Sequence, residues 1–136
     1  YFGYHILGEN YLGKRLYDRA IANYEKATRL GGRSITNIAE LGFAHALAGN
    51  TNKAMDLLRE TEEAVCQSNL YYAWVGLIYV GLGHNDKAFE WFEKAYEEHD
   101  PFLVYIPSKK WPKLEDFRKD PRFKALLKKM GVAHLA

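Results

Sequence analysis

The side chains able to do chemistry are few and scattered. The five histidines, His5, His45, His84, His99 and His134, have no spacing that brings two onto one helix face, and Cys66 has no second cysteine with which to share a zinc ion. His45 stands where the corresponding residues 34 positions away on either side are tyrosines, so it reads as a packed neutral imidazole rather than a ligand. Gly8-Glu9-Asn10-Tyr11-Leu12-Gly13-Lys14-Arg15 follows a phosphate-binding loop up to its last residue. There Arg15 replaces the metal-holding Ser or Thr, and the stretch is helical rather than poised after a strand, so the match reads as chance. Glu62-Glu63 and Glu97-Glu98 read as solvated helix ends. With no nucleophile, base or buried acid pair to name, the expectation is a non-enzyme without catalytic, cofactor-binding or metal-ligating residues.

Composition narrows the class further. A chain of 136 residues that is 48% apolar suits one globular domain. Its formal charge of +2 is too small to argue for a nucleic-acid partner. A single cysteine excludes an internal disulfide and makes a reducing cytoplasm the simpler expectation. Leu70 to Gly83 carries no charge, but fourteen residues fall short of the roughly 20 a helix needs to cross a bilayer, so no membrane span is expected. Tyr1 is not a natural translation start, so upstream sequence is expected, with the cut falling at a repeat boundary.

The elements that would position any site announce themselves by period. Ala20, Ala54 and Ala88 are 34 residues apart, the interval of helix–turn–helix solenoids. Tyr4, Leu7, Gly8 and Tyr11 recur as Ile38, Leu41, Gly42 and His45, then as Tyr72, Val75, Gly76 and Tyr79. Tyr24, Leu58 and Phe92 share a position, as do Ala27, Thr61 and Ala95. Gly8, Gly42 and Gly76 are expected to clear space where the alanine of the second helix arrives. Gly49-Asn50 and Gly83-His84-Asn85 predict turns in which glycine ends one helix and asparagine opens the next, while Asp18 and Asp86 favour the positive ends of second helices.

This pattern resembles the tetratricopeptide repeat. The resemblance covers 1–102 as three copies, 1–34, 35–68 and 69–102, and departs from the family at Arg15, at Thr61 and at Gly32, Cys66 and Asp100. It implies an all-α fold, a right-handed α-α superhelix of three helix–turn–helix pairs, acting non-enzymatically in protein binding.

From residue 103 to 136 the period is lost, since Lys110, Arg122 and Lys129 occupy the glycine and alanine positions. Pro107, Pro112 and Pro121 divide a capping segment with a short helix and a helix at 121–130, opened by Asp120-Pro121 and stopped by Gly131. Phe123, Leu126, Leu127 and Met130 form its inward face, and Trp111 and Phe117 are expected to pack on the repeats. The run from Leu114 to Phe123, with Leu126-Leu127 and Met130-Gly131, resembles the C-terminal ends of bacterial repeat arrays fused behind winged-helix regulators, cyclases or kinases. That likeness implies a regulatory or scaffolding appendage. This tail holds nine Lys or Arg against three Asp or Glu, and the repeats ten against fourteen, so the tail either meets an acidic partner or simply solvates its outer face.

In repeats of this kind the first helices line a concave groove. The resemblance places Phe2, His5, Ile6, Glu9 and Leu12 there, then Glu40 and Phe43, then Leu70, Trp74 and Leu77. His5, Glu9, Glu40, Leu70 and Trp74 stand where chaperone-binding relatives carry the Lys, Asn and Arg of a carboxylate clamp, so that partner class is not expected. An apolar strip of Phe43, Leu70, Trp74 and Leu77 suits a protein or peptide with an apolar segment or an amphipathic helix. Two occupants stay open: an outside partner, or the protein itself through its own tail, upstream chain or a neighbouring subunit in a homo-oligomer. A single-stranded RNA reader would want a 35-residue period and polar reading positions, which this chain lacks.

Overall fold

The computed structural model describes residues 2–105 and 109–131, so Tyr1, Pro107 and His134 lie outside it. The described residues form helices and connecting turns, without strands. The helices are α1 Phe2–Gly13, α2 Tyr17–Gly31, α3 Ile35–Leu47, α4 Thr51–Ser68, α5 Tyr72–Leu82 and α6 Asn85–Glu97, followed by α7 Phe102–Tyr105, α8 Leu114–Phe117 and α9 Pro121–Lys129. The first six pair as hairpins, α1 with α2, α3 with α4 and α5 with α6, and successive hairpins stack through α2 on α3, α3 on α5 and α4 on α5. This is the helical-repeat array expected from the period.

Ala20, Ala54 and Ala88 are fully buried where each second helix meets its first. The glycines opposite them act differently from expectation. A Cβ at Gly8 would stand 2.8 Å from the Tyr24 ring, and one at Gly76 would stand 2.7 Å from the Phe92 ring. What these glycines clear is a seat for the flat aromatic one turn further along the second helix, not for the alanine. At Gly42 the crowding atoms belong to Leu57 and to Ile78 of the next hairpin.

Turn chemistry is kept where residue types change. Gly49 and Gly83 have φ of +85° and +80°, and Arg15 takes the same left-handed region at +62° despite its side chain. Neither asparagine caps as expected. Asn50 precedes α4 without a side-chain cap, bonding instead to the His45 ring at 3.1 Å, and Asn85 is already the first residue of α6. Asp100 has a role its spacing did not suggest. Its carboxylate accepts hydrogen bonds from the backbone N–H of Ala73, at the start of α5, and from Phe102, each at 2.9 Å. Thr61, buried in place of alanine, returns its hydroxyl to the Leu57 carbonyl at 2.7 Å. Glu62, expected in solvent, accepts from the Tyr79 hydroxyl at 2.7 Å.

Helix α9 is capped by Asp120, whose carboxylate accepts from the Arg122 backbone N–H, and Phe123, Leu126 and Leu127 are buried. Phe117 joins it to the array, its ring 4.5 Å from that of Phe89 and 5.4 Å from that of Phe123.

Candidate functional site

The inner face is set by the first helix of each hairpin. Along α1 the 3.6-residue turn brings His5 and Glu9 onto one side, four residues apart. Glu40 and Phe43 project from α3, and Trp74 and Leu77 from α5, all four fully buried together with Leu12 of α1. Phe2 and Ile6 remain 68% and 42% exposed, and Leu70, which precedes α5 rather than lying on it, is 50% exposed. The continuous strip expected from the sequence is therefore split. Leu70 falls outside it, and the aromatic part does not face water.

A segment of the tail covers that part with Phe102, Tyr105 and Trp111. The Trp74 ring lies 5.1 Å from Phe102 and 6.2 Å from Tyr105, and Phe43 lies 5.6 Å from Trp111. Polar groups fix the same segment at both ends of the face. The Tyr105 hydroxyl donates to Glu9 at 2.9 Å, Lys109 Nζ stands 3.4 Å from the same carboxylate, and Lys113 Nζ donates to the Gly81 carbonyl at 2.7 Å. Lys109 also sits over the rings of Tyr105 and Trp111, 4.4 and 5.6 Å from their centroids. Much of the basic charge of the tail meets acids within the chain: Arg122 pairs with Asp86 at 2.7 Å, and Lys129 with Glu93 at 3.0 Å.

Between α1 and α3 the face turns polar. His5 Nε2 is 3.6 Å from Glu9 Oε1 and 3.5 Å from Glu40 Oε1. Glu40 is fully enclosed, and neither carboxylate oxygen has a hydrogen-bond partner. The buried Tyr24 hydroxyl is its neighbour and works against the effect of burial on Glu40. Burial pushes the Glu40 carboxyl up to about 8, reinforced by the charge of Glu9 and partly opposed by His5. The Glu9 pairing holds the His5 imidazole above its ordinary value against the effect of burial. Burial alone would raise Glu9, but His5, Tyr105 and Lys109 together keep it below the usual carboxylate range. His45 behaves as a packed imidazole, its burial favouring the neutral form.

Sequence reasoning missed Tyr24, Tyr105 and Lys109 as polar neighbours of Glu9 and Glu40. Tyr24 was legible only as a packing residue. Tyr105 and Lys109 lie where the period has stopped, so no register pointed to them.

Stacked helical hairpins whose first helices share an inner face define the class, a helical-repeat solenoid. Within that class, the chain is similar to tetratricopeptide-repeat proteins: the family model for this repeat matches residues 3–30 and 71–98, the first and third hairpins. Such repeats generally mediate protein–protein interaction. No curated protein and no solved structure matches the chain. Among the described residues, no helix is long and apolar enough to cross a membrane.

Proposed function

We propose that the array is a protein-interaction module of a larger regulatory protein, whose inner face takes an apolar segment and holds Phe102, Tyr105 and Trp111 of its own tail as a built-in strap. The observation that carries this reading is the seating of Phe102, Tyr105 and Trp111 on Trp74 and Phe43, side chains that the family resemblance assigns to a ligand groove. An outside partner of the same chemistry, an aromatic-rich or amphipathic segment with a cation for Glu9, competes with this strap. A second copy of the chain is the other natural competitor, since strap exchange would give a homo-oligomer without new contacts. A reducing cytoplasm fits the free Cys66, which is exposed.

The test uses a synthetic peptide of residues 101–119 as the probe. The full chain should bind it weakly because the strap is already seated, and the Phe102→Ala/Trp111→Ala double variant should bind it about tenfold or more tighter. Equal affinity for the two proteins would show that the face does not hold an apolar segment in trans. Light scattering on the same samples reports strap exchange as a concentration-dependent mass.

A further inference from the structure

An enclosed carboxylate with two unpartnered oxygens is costly unless something on the inner face satisfies it. Glu40 is that group, and it does not stand alone. His5 Nε2, Glu9 Oε1 and a Glu40 oxygen converge from α1 and α3 with all three ligand atoms within 4.8 Å of one another. The two edges that meet at His5 measure 3.5 and 3.6 Å. Ligands about 2.0–2.2 Å from a tetrahedral ion lie roughly 3.4 Å apart, so those two edges already have the size of a zinc-type site. The third edge, between the two carboxylates, is no longer than 4.8 Å, and Glu9 is the more accessible of the two.

We propose that His5, Glu9 and Glu40 form a divalent transition-metal site, of the zinc class, that joins the first two hairpins beneath the strap. One imidazole and two carboxylates leave a fourth position for water, and the ligands have phenol neighbours: the buried Tyr24 hydroxyl beside Glu40 and the Tyr105 hydroxyl that donates to Glu9. Without metal the local cation is Lys109, 3.4 Å from Glu9 Oε1. It sits at the same time over the Tyr105 and Trp111 rings, contacts it keeps when the ion takes Glu9. Binding releases protons from Glu40 and His5, because both must be deprotonated to act as ligands. The hard cations Mg2+ and Ca2+ are disfavoured by the imidazole and by the small number of oxygens.

The experiment is a calorimetric titration of the chelator-treated full chain with zinc chloride, paired with cobalt(II) absorption. One equivalent of zinc should bind, with a rise in melting temperature. Affinity should fall about tenfold or more in His5→Ala and in Glu40→Gln and hold in His99→Ala, an exposed histidine elsewhere on the surface. Equal affinity in all four proteins would assign the ion to surface histidines and overturn the site. Should either variant fail to fold, the wild type decides. One equivalent of cobalt must give the intense visible bands of a four-coordinate ion, and their absence overturns the proposal.

Discussion

Helices α1 and α5 occupy the same place in successive hairpins, yet one is a rim and the other a core. In α5 nearly every residue is buried, because the helix is packed by α6 on one side and by α3 and α4 on the other, with α7 and α8 above. In α1 only Gly8 and Leu12 are buried. Tyr4 and Leu7 are exposed, although their counterparts Ile38 and Leu41, then Tyr72 and Val75, are buried. The difference also reaches the inner side. α3 and α5 approach closely because a Cβ at Gly81 would already touch Phe43 and Ala46. In the preceding hairpin the corresponding positions carry Leu47, Glu9 and Leu12, which need room, and α1 packs mainly on α2. Identical register therefore produces a dry aromatic seam in one interval and a polar recess in the other. What a repeat position does is decided by its neighbours as much as by its own residue type.

The largest effect that separates the two helices is truncation. Trp74→Ala should cost about 3–5 kcal/mol, the range for removing a fully buried large aromatic, whereas Phe2→Ala should stay within about 0.5 kcal/mol, as read by urea denaturation. Comparable losses from the two would mean that α1 is as deeply packed as α5. Next comes the seat of the aromatic in the third hairpin. Gly76→Ala forces a methyl to 2.7 Å from Phe92 and should destabilise by about 1–3 kcal/mol, so an unchanged midpoint would contradict that close approach.

The polar recess gives a pH signature. In metal-free buffer the folded chain keeps a proton on Glu40 from the ordinary carboxylate value of 4.5 up to about 8, whereas the unfolded chain has lost it. Stability should therefore fall as pH rises through that window. His5 adds the same sign, because its raised folded value contributes stability below its ordinary value of 6.5 that is lost as pH rises through the folded value. Glu40→Gln should match the wild type near pH 4.5 and exceed it by about 1–2 kcal/mol at pH 8.5, the order of a buried charge relieved. Parallel pH profiles of melting temperature for the two proteins would remove Glu40 from the titration. The smallest effect is on α1 itself. A Cβ at Gly3 meets nothing within 4 Å, so Gly3→Ala should stabilise by about 0.5–1 kcal/mol through helix propensity, and a loss would reveal an unseen neighbour.

Much of the architecture was legible because the code for it is periodic. Ala20, Ala54 and Ala88, the partners Tyr24, Leu58 and Phe92, and the left-handed glycines Gly49 and Gly83 all fall at fixed offsets that a helical hairpin needs. The tail helix was legible from Asp120-Pro121 and its apolar face, and α9 runs to Lys129. The cover over Phe43 and Trp74 was not legible, because it depends on where the aperiodic residues Phe102, Tyr105 and Trp111 lie. The recess was illegible for a related reason. His5 and Glu40 are 35 residues apart, and counting helix faces within one helix never brings them together. Asp100 illustrates the same limit, since it looked like a missing proline and is a hydrogen-bond acceptor for backbone 27 residues upstream.

That aspartate sets a fulcrum for the strap. Because one carboxylate holds both the N–H of Ala73 in α5 and the N–H of Phe102, lifting Tyr105 and Trp111 off the inner face would leave the knot at Asp100 intact, while peeling back past Phe102 would break it. On the proposed reading, a partner that displaced the strap would expose the aromatic seam without unravelling the third hairpin.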